Sequence, residues 1–204
     1  MFILRQGQAH DAQALSKLIV ATAPELLPVV LGDKQCLKNY LAHALMLPNG
    51  QYSAVRHQVL VMHDQQSQDE QVVGCITLWH DDLGADFVNQ TISAMINVFT
   101  SEQLTQIARI NTALLSVFVS PSRNELALGH ISVAPEYQGL GLGKKLIAYG
   151  IRQAKLLGKQ QVVIDVDSDN EQAVCFYESC DFMTTASTQL ALTGQTFLRM
   201  VYRL

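Results

Sequence analysis

Ile131-Ser132-Val133-Ala134-Pro135-Glu136-Tyr137-Gln138-Gly139-Leu140-Gly141-Leu142-Gly143-Lys144 is the stretch on which the reading of this chain turns. The run Leu126 to Val133 is strand-like and stops at Pro135. A helical pattern then runs from about Gly143 to Leu157, with Leu146, Ile147, Ile151, Ala154 and Leu157 on one face and Gly158 as its stop. Between strand and helix lie three alternate glycines, Gly139, Gly141 and Gly143, which let the backbone turn tightly and present successive N–H groups outward. A helix that begins there adds its positive dipole end and its unpaired amides, so an anion such as a pyrophosphate is favoured. Taken alone, the segment also admits a glycine-rich turn with no ligand.

Two other phosphate loops fail on these residues. A Walker A loop would need glycine at position 138 and serine or threonine at 145, where the chain has Gln138 and Lys145. A dinucleotide fingerprint starting at Gly139 would need glycine at 144, where lysine stands, and belongs near the first strand of its domain.

Downstream, Gln161 to Val166 (QVVIDV) reads as an inner strand, and Asp169 or Asn170 opens a helix through Ser179. With these elements in place, the chain resembles the GNAT N-acetyltransferases, whose cofactor motif is Gln/Arg-x-x-Gly-x-Gly/Ala. Gln138, Gly141 and Gly143 match it in register, and Ile131 to Tyr137 resembles the strand and loop that lead into it. Asn170-x-x-Ala173-x-x-x-Tyr177 matches the next motif. Glu178-Ser179-Cys180-Asp181-Phe182 resembles its continuation, with cysteine and aspartate where leucine and glycine are more usual.

The resemblance, strong from about Gly129 to Phe182, implies acetyl-CoA as co-substrate and an acetyl transfer to an amine. It implies that amides of Gly139, Leu140, Gly141, Leu142, Gly143 and Lys144 hold the CoA pyrophosphate. Backbone groups of Ile131 and Val133, flanking Ser132, pair with the pantetheine arm like an added strand, a mode that is also sensible physically. Asn170, with Ala173 in its motif, contacts the cofactor arm, and Tyr177 is the general acid that protonates the leaving thiolate. The chemistry asks for both a proton acceptor and a proton donor, because the attacking ammonium must lose a proton and the thiolate gains one.

The proton acceptor is open. Counting back from Gln138, the position where many family members carry a carboxylate or histidine is Ala127, which cannot serve. Glu125 lies two residues earlier on the same strand face. His130 points to the opposite face unless a bulge re-aims it. His80, Asp81 and ordered water are further candidates. Trp79 reads as core before it reads as a substrate platform, and Asp82 and Asp86 as a solvated acidic loop. His10, His43, His57 and His63 show no partner spacing.

The rest of the chain fits around this centre. Phe2 to Arg5 is a short strand. His10-Asp11-Ala12 opens a helix that Pro24 and Pro28 interrupt, and Lys34 to Leu47 is a second helix ending before Pro48-Asn49-Gly50. Gln58 to His63 and Gln71 to His80 are strands, joined by the polar stretch Asp64 to Glu70. Phe182 to Thr185 and Phe197 to Tyr202 close the fold. The expectation is an α/β fold, a GNAT-like mixed, mainly antiparallel sheet of about seven strands flanked by helices, in one domain over residues 1–204.

The segment from Asp81 to Asn124 departs from the plain family plan. It carries helical periodicity (Ile92, Met95, Ile96, Phe99, then Leu104, Ile107, Ile110, Leu114), with Thr100-Ser101-Glu102 as a second helix start. It is expected to wall the acceptor side of the site as a lid or to form a homodimer contact.

Composition narrows the partners. A net charge of −4, with no Lys/Arg run longer than Lys144-Lys145, argues against a general nucleic-acid binder. The N-terminus lacks a signal-peptide pattern and no apolar run is long enough to span a bilayer, so no membrane association and a cytoplasmic location are expected. Cys36, Cys75, Cys175 and Cys180 are scattered among apolar neighbours without metal-ligand spacing, so buried, reduced thiols and no metal site are expected. The acceptor is expected to be a small-molecule amine, with a non-catalytic CoA- or acyl-CoA-binding module as the alternative.

Overall fold

The computed structural model describes residues 1–63 and 70–204. The polar connection expected at Asp64 to Glu70 lies outside these residues, except for Glu70, which opens a strand.

Seven strands form one mixed sheet: β1 (Phe2–Gln6), β2 (His57–His63), β3 (Glu70–Trp79), β4 (Glu125–Val133), β5 (Gln161–Asp167), β6 (Met183–Gln189) and β7 (Thr196–Arg203). Their order is β1-β2-β3-β4-β5-β7-β6. β4 and β5 are parallel, paired at Glu125↔Gln161, Leu126↔Val162 and Ala127↔Val163, while β1–β2, β2–β3, β5–β7 and β6–β7 are antiparallel. Parallel neighbours need a crossover, and α6 (Leu142–Leu156) supplies it. The other helices are α1 (Ala12–Thr22), α2 (Leu26–Val30), α3 (Lys34–Ala44), α4 (Gly84–Ile96), α5 (Ser101–Leu114) and α7 (Glu171–Glu178).

Contacts group the chain into two compact units. One holds Met1–Thr77, Leu83–Thr105 and His130–Leu146; the other holds Leu78–Asp82, Gln106–Gly129 and Ile147–Leu204.

In the first unit, Arg5 of β1 grips Asp11 with both terminal guanidinium nitrogens, at 2.7 and 3.0 Å. The same carboxylate accepts the N–H of Gln8 at 2.8 Å, which fixes the turn into α1. α1 then buries Leu15, Leu18 and Ile19. α1 stops at Thr22, before Pro24, so the first helix is interrupted there as expected, and Pro28 falls in the next helix. This proline sits in the first turn of α2, where a backbone N–H has no intrahelical acceptor to lose. α3 is capped by Asp33, whose side chain accepts the Cys36 N–H at 2.7 Å. It ends at Ala44, short of the expected Leu47, because Met46 and Leu47 bond the carbonyls of His43 and Ala44 in tightened turns.

The segment after β3 is helical, as its periodicity required. The turn at Asn49 to Gln51 holds α4: Asn49 donates to Asp86 at 2.6 Å, and the Gln51 N–H donates to the Thr91 hydroxyl at 2.9 Å. Ala94 and Phe99 are buried, Phe99 lying 5.3 Å from the Tyr40 ring. α5 opens on a reciprocal capping box in which the Thr100 N–H donates to the Gln103 side chain and the Gln103 N–H to the Thr100 hydroxyl.

The second unit packs Val162, Val163 and Ile164 of β5 beside Met200 and Val201 of β7. Gly150 of α6 lies against Leu128, where a β-carbon would sit 2.7 Å from a leucine methyl. Gly158 ends the helix in the left-handed region, and Lys159 N–H bonds the Ala154 carbonyl at 3.0 Å.

Candidate active site

The glycine loop has the conformation its composition asks for. Gly139 and Gly141 take φ values of 76° and 74°, a region that L side chains rarely adopt. A β-carbon at either would meet nothing within 4 Å, so conformation and not crowding selects glycine here, and the face above the loop is open. Leu142 is buried and pins the loop, while Leu140 is exposed. The Lys145 N–H is bonded to the Gly141 carbonyl at 3.3 Å; the N–H groups of Leu142, Gly143 and Lys144 come before it, in the turn where a helix has no acceptors of its own. Open space, helix-start amides and no acidic side chain from Gln138 to Lys145 make a cradle that fits a pyrophosphate.

The loop is tied to the strand that precedes it. Gln138 donates its side-chain amide to the Val133 carbonyl at 3.1 Å, and Tyr137 donates its hydroxyl to Gln71 at 3.0 Å. The Ala134 N–H donates to the Val73 carbonyl at 2.8 Å. β3 approaches this end of β4 so closely that a β-carbon on Gly74 would lie 2.9 Å from the Ser132 carbonyl oxygen. Ile131, Ser132 and Val133 are all partly exposed.

His130 is where β4 departs from regular geometry. Its φ is +46°, uncommon for a residue with a β-carbon and unusual inside a strand. Cys75 donates its thiol to the His130 carbonyl at 3.1 Å, and burial pushes that thiol up to about 12. The kink re-aims the imidazole, and the ring lies near that of His57 of β2, with His130 Nδ1 3.1 Å from His57 Nε2. The two ring planes are within 9° of parallel with centroids 5.3 Å apart, and the Tyr52 ring lies 5.2 Å from that of His130. His57 is fully buried, and its Nδ1 is 2.9 Å from the Ser53 carbonyl. Burial pushes His57 down to about 4; burial and the neighbouring His57 push His130 down to about 3. Both rings are neutral at physiological pH.

Glu125 is placed differently. One carboxylate oxygen accepts the Ser122 N–H at 2.7 Å, the other accepts Gln161 Nε2 at 2.9 Å, and Arg199 lies 3.6 Å away. Burial raises its pKa, and the Ser122 amide, Arg199 and Gln161 more than offset that, leaving it below the ordinary carboxylate value. Arg199 also reaches Asp165 at 3.3 Å. This carboxylate anchors the start of β4 and is a poor proton acceptor. Asp81 is engaged as well, by Lys159 at 2.6 Å.

In α7, Asn170 caps the helix: its side-chain oxygen accepts the Ala173 N–H at 3.1 Å. Tyr177, the other end of that motif, is buried with Phe176 and Phe182 rings 5.3 and 6.0 Å away. Burial, with Cys180 adding to it, raises the Tyr177 phenol above its ordinary value of 10.0, so it keeps its proton.

The sequence pattern gave no hint of His57, Ser53, Tyr52 or Cys75 around His130. The two histidines are 73 positions apart and lie on strands that are not adjacent in the sheet order.

The family model for the acetyltransferase (GNAT) family matches residues 43–182. The chain belongs to that family. Among curated relatives, mycothiol acetyltransferase of Paenarthrobacter aurescens (strain TC1) is 45% identical over 53 residues, which is 26% of this chain and 16% of that one. L-amino acid N-acyltransferase MnaT of Escherichia coli (strain K12) is 35% identical over 69 residues, 34% of this chain and 39% of that one. The chain thus spans well under half the length of the curated relatives it matches. An N-acetyltransferase of Staphylococcus aureus Mu50 superposes with a TM-score of 0.70 at 14% identity, covering 98% of this chain and 100% of that one. A GNAT fold is also seen in yncA of Salmonella typhimurium, solved with its cofactor acetyl-CoA, at a TM-score of 0.55 and 18% identity, covering 100% of this chain and 94% of that one. At these identities the structural likeness speaks for the fold. Among the described residues no group of three His, Cys, Asp or Glu could hold a metal ion, and no helix is long and apolar enough to cross a membrane.

Proposed function

We propose that this GNAT-family protein transfers an acetyl group from acetyl-CoA to the primary amine of a small molecule. The observation that carries the reading is the open, left-handed glycine loop at the start of α6, in register with the family's cofactor motif. Amides from Gly139 to Lys144 would hold the pyrophosphate, and the main chain of Ile131 and Val133 would pair with the pantetheine arm. The side-chain oxygen of Asn170 is used in capping α7, so its amide NH2 is the group that would meet the cofactor arm. When bound, acetyl-CoA supplies a thioester carbonyl open to attack and a thiolate leaving group.

His130 is the proton acceptor in this reading. Its ring is neutral, and its low basicity suits it to take the proton after the amine nitrogen has begun to bond and become acidic, not from the free ammonium. Tyr177, held protonated, gives its proton to the departing sulfur. The names of the partial relatives, an amino-acid acyltransferase and a mycothiol acetyltransferase, support a small amine as acceptor.

The test is a thermal-shift titration with CoA and acetyl-CoA on the wild type and on Gly141→Glu, followed by an amine screen. A rise in melting temperature for the wild type alone, and turnover with an amine, support the reading. A folded wild type that shifts with neither ligand overturns it.

Ala127, at the position where the family resemblance implies a carboxylate or histidine, favours a second reading, a CoA- or acyl-CoA-binding module without turnover. Acetyl-CoA consumption that depends on an amine and is lost in Tyr177→Phe would discard it.

The segment from Asp81 to Asn124 is assigned to the acceptor side. α4 is clamped through Asp86 and Thr91, while Val88, Ile92 and Ile96, spaced four apart, stay exposed as an apolar stripe. Such a stripe serves a lid or a homodimer contact. Deleting the segment should raise the KM for the amine far more than the Kd for CoA; equal loss of both would count against a lid.

A further inference from the structure

We infer that His57 is a positioning residue: accepting a hydrogen bond from His130 Nδ1–H, it fixes His130 in the tautomer whose Nε2 carries the lone pair. The inference rests on the reading of His130 as proton acceptor and adds a residue that no motif marks.

The argument runs from one carbonyl. The Ser53 carbonyl oxygen can only accept, so His57 Nδ1, 2.9 Å from it, carries the hydrogen. A neutral imidazole has one donor nitrogen and one acceptor. His57 is wholly buried and neutral, so its Nε2 holds a lone pair. That lone pair lies 3.1 Å from His130 Nδ1. Two facing lone pairs would repel, so the hydrogen between the rings belongs to His130 Nδ1. The ring geometry supports this: the planes are within 9° of parallel, and centroids 5.3 Å apart with the nitrogens at 3.1 Å mean that the rings meet edge to edge, which aligns the in-plane N–H bond of one with the in-plane lone pair of the other. The proton of neutral His130 is thereby assigned to Nδ1, and Nε2 is its basic nitrogen.

The backbone is held to the same end. The left-handed φ of +46° turns the ring toward His57, and the Cys75 thiol bonds the carbonyl of that same residue. A strained conformation secured by two independent contacts is a common mark of a functional position. Which nitrogen of a histidine carries the proton is set by the bond its other nitrogen makes, and His57 makes that bond here. Loss of the correct tautomer leaves geometry intact while removing proton transfer, which is the form of defect that a positioning residue produces.

The experiment is 15N NMR of the full chain labelled in histidine, paired with steady-state kinetics, on the wild type, His57→Phe and His57→Gln. In the wild type His130 should show a protonated Nδ1 and an unprotonated Nε2. His57→Phe fills the volume without an acceptor; His130 should shift toward the Nε2–H form, and kcat should fall at least about tenfold with the KM for acetyl-CoA unchanged. His57→Gln, whose amide oxygen can accept the same hydrogen, should restore the Nδ1–H form and much of kcat. A wild-type His130 protonated on Nε2, or a tautomer unchanged in His57→Phe, overturns the inference. Should His57→Phe fail to fold, the wild-type and His57→Gln spectra decide. A wild type that shows the Nδ1–H tautomer but acetylates no amine sustains the role of His57 and overturns the acetyl-transfer reading instead.

Discussion

Gln138 donates its side-chain amide to the carbonyl of Val133 at 3.1 Å, so the residue that opens the glycine loop is tied to the last residue of β4. The tie joins the two stretches assigned to the cofactor, the strand that would meet the pantetheine arm and the loop that would meet the pyrophosphate. Removing it should loosen their relative placement without disturbing the core. Gln138→Ala should change stability by no more than about 1 kcal/mol, as loss of one exposed neutral hydrogen bond does. It should weaken acetyl-CoA binding about fivefold, measured by calorimetry. Gly141→Ala should act differently: with nothing within 4 Å of the new methyl there is no clash, and the left-handed φ of 74° alone should remove about 1 kcal/mol of stability.

His130 at φ +46° makes an inverted order of stabilities. In an ordinary strand, glycine is less stable than alanine by about 0.5–1 kcal/mol. Here alanine keeps the left-handed penalty and glycine escapes it. His130→Gly should therefore melt above His130→Ala, by an amount equivalent to about 1 kcal/mol. The reverse order would mean that the kink is absent in solution. Both variants should lose turnover, because both lack the imidazole.

What the sequence made legible was what a local pattern can encode. The strand ending at Val133, the glycine turn and the helix to Leu156 follow from three alternate glycines and a run of apolar residues at helical spacing. Asn170 at the start of α7 and the Thr100 start of α5 are cap residues, and caps are written within four positions. The break after Thr22 is legible from Pro24, whereas the short helix around Pro28 is not, because a proline's effect depends on which turn it occupies, and in α2 it falls in the first. The placement of Glu125 could not be read either. Whether its carboxylate is available depends on Ser122, which is near, but also on Gln161 and on Arg199 of β7, which only the sheet order brings to it. His57 is illegible for the same reason, since its partner is set by tertiary structure alone.

Tyr177 gives a kinetic prediction with a defined pH course. Its phenol is raised above 10.0 by burial, so the protonated donor persists through the range in which amines become nucleophilic. The rate should climb with pH as the acceptor amine loses its proton and should not turn down near pH 10.0, where an ordinary tyrosine would ionise. Tyr177→Phe should lower kcat by about 10²-fold or more, leaving acetyl-CoA affinity within about twofold. Burial of the ring is preserved in phenylalanine, so a large fall in melting temperature would point to a packing role in place of a chemical one. Single-turnover measurements on the two proteins would separate the chemical step from product release.

Stability should fall with acid in two windows that overlap at their edge. His57 has its pKa depressed from 6.5 to about 4 by burial, and His130 to about 3, so between pH 6.5 and those values the unfolded chain binds protons that the folded chain does not. Stability therefore rises with pH in that window, is fully present above 6.5, and declines as pH drops toward 4, by up to about 3 kcal/mol for His57 alone. Asp11 acts lower down. Burial raises its pKa, but the Arg5 hydrogen bonds and the Gln8 amide outweigh that and hold it below 3.8; its contribution is present above 3.8 and is lost as pH falls through the lower folded value. Urea midpoints at pH 7, 5 and 3 would resolve the two. His57→Phe should shrink the upper window to the part that His130 contributes and leave the lower one. Asp11→Asn should do the opposite, while lowering stability at pH 7 by about 2–3 kcal/mol, since Arg5 loses its buried charged partner and keeps its bonds to Glu70 at 2.9 Å and to the Gln6 carbonyl at 3.1 Å. A single transition near pH 4 in the wild type, unmoved by His57→Phe, would show that the histidine pair is accessible to protons in the folded state.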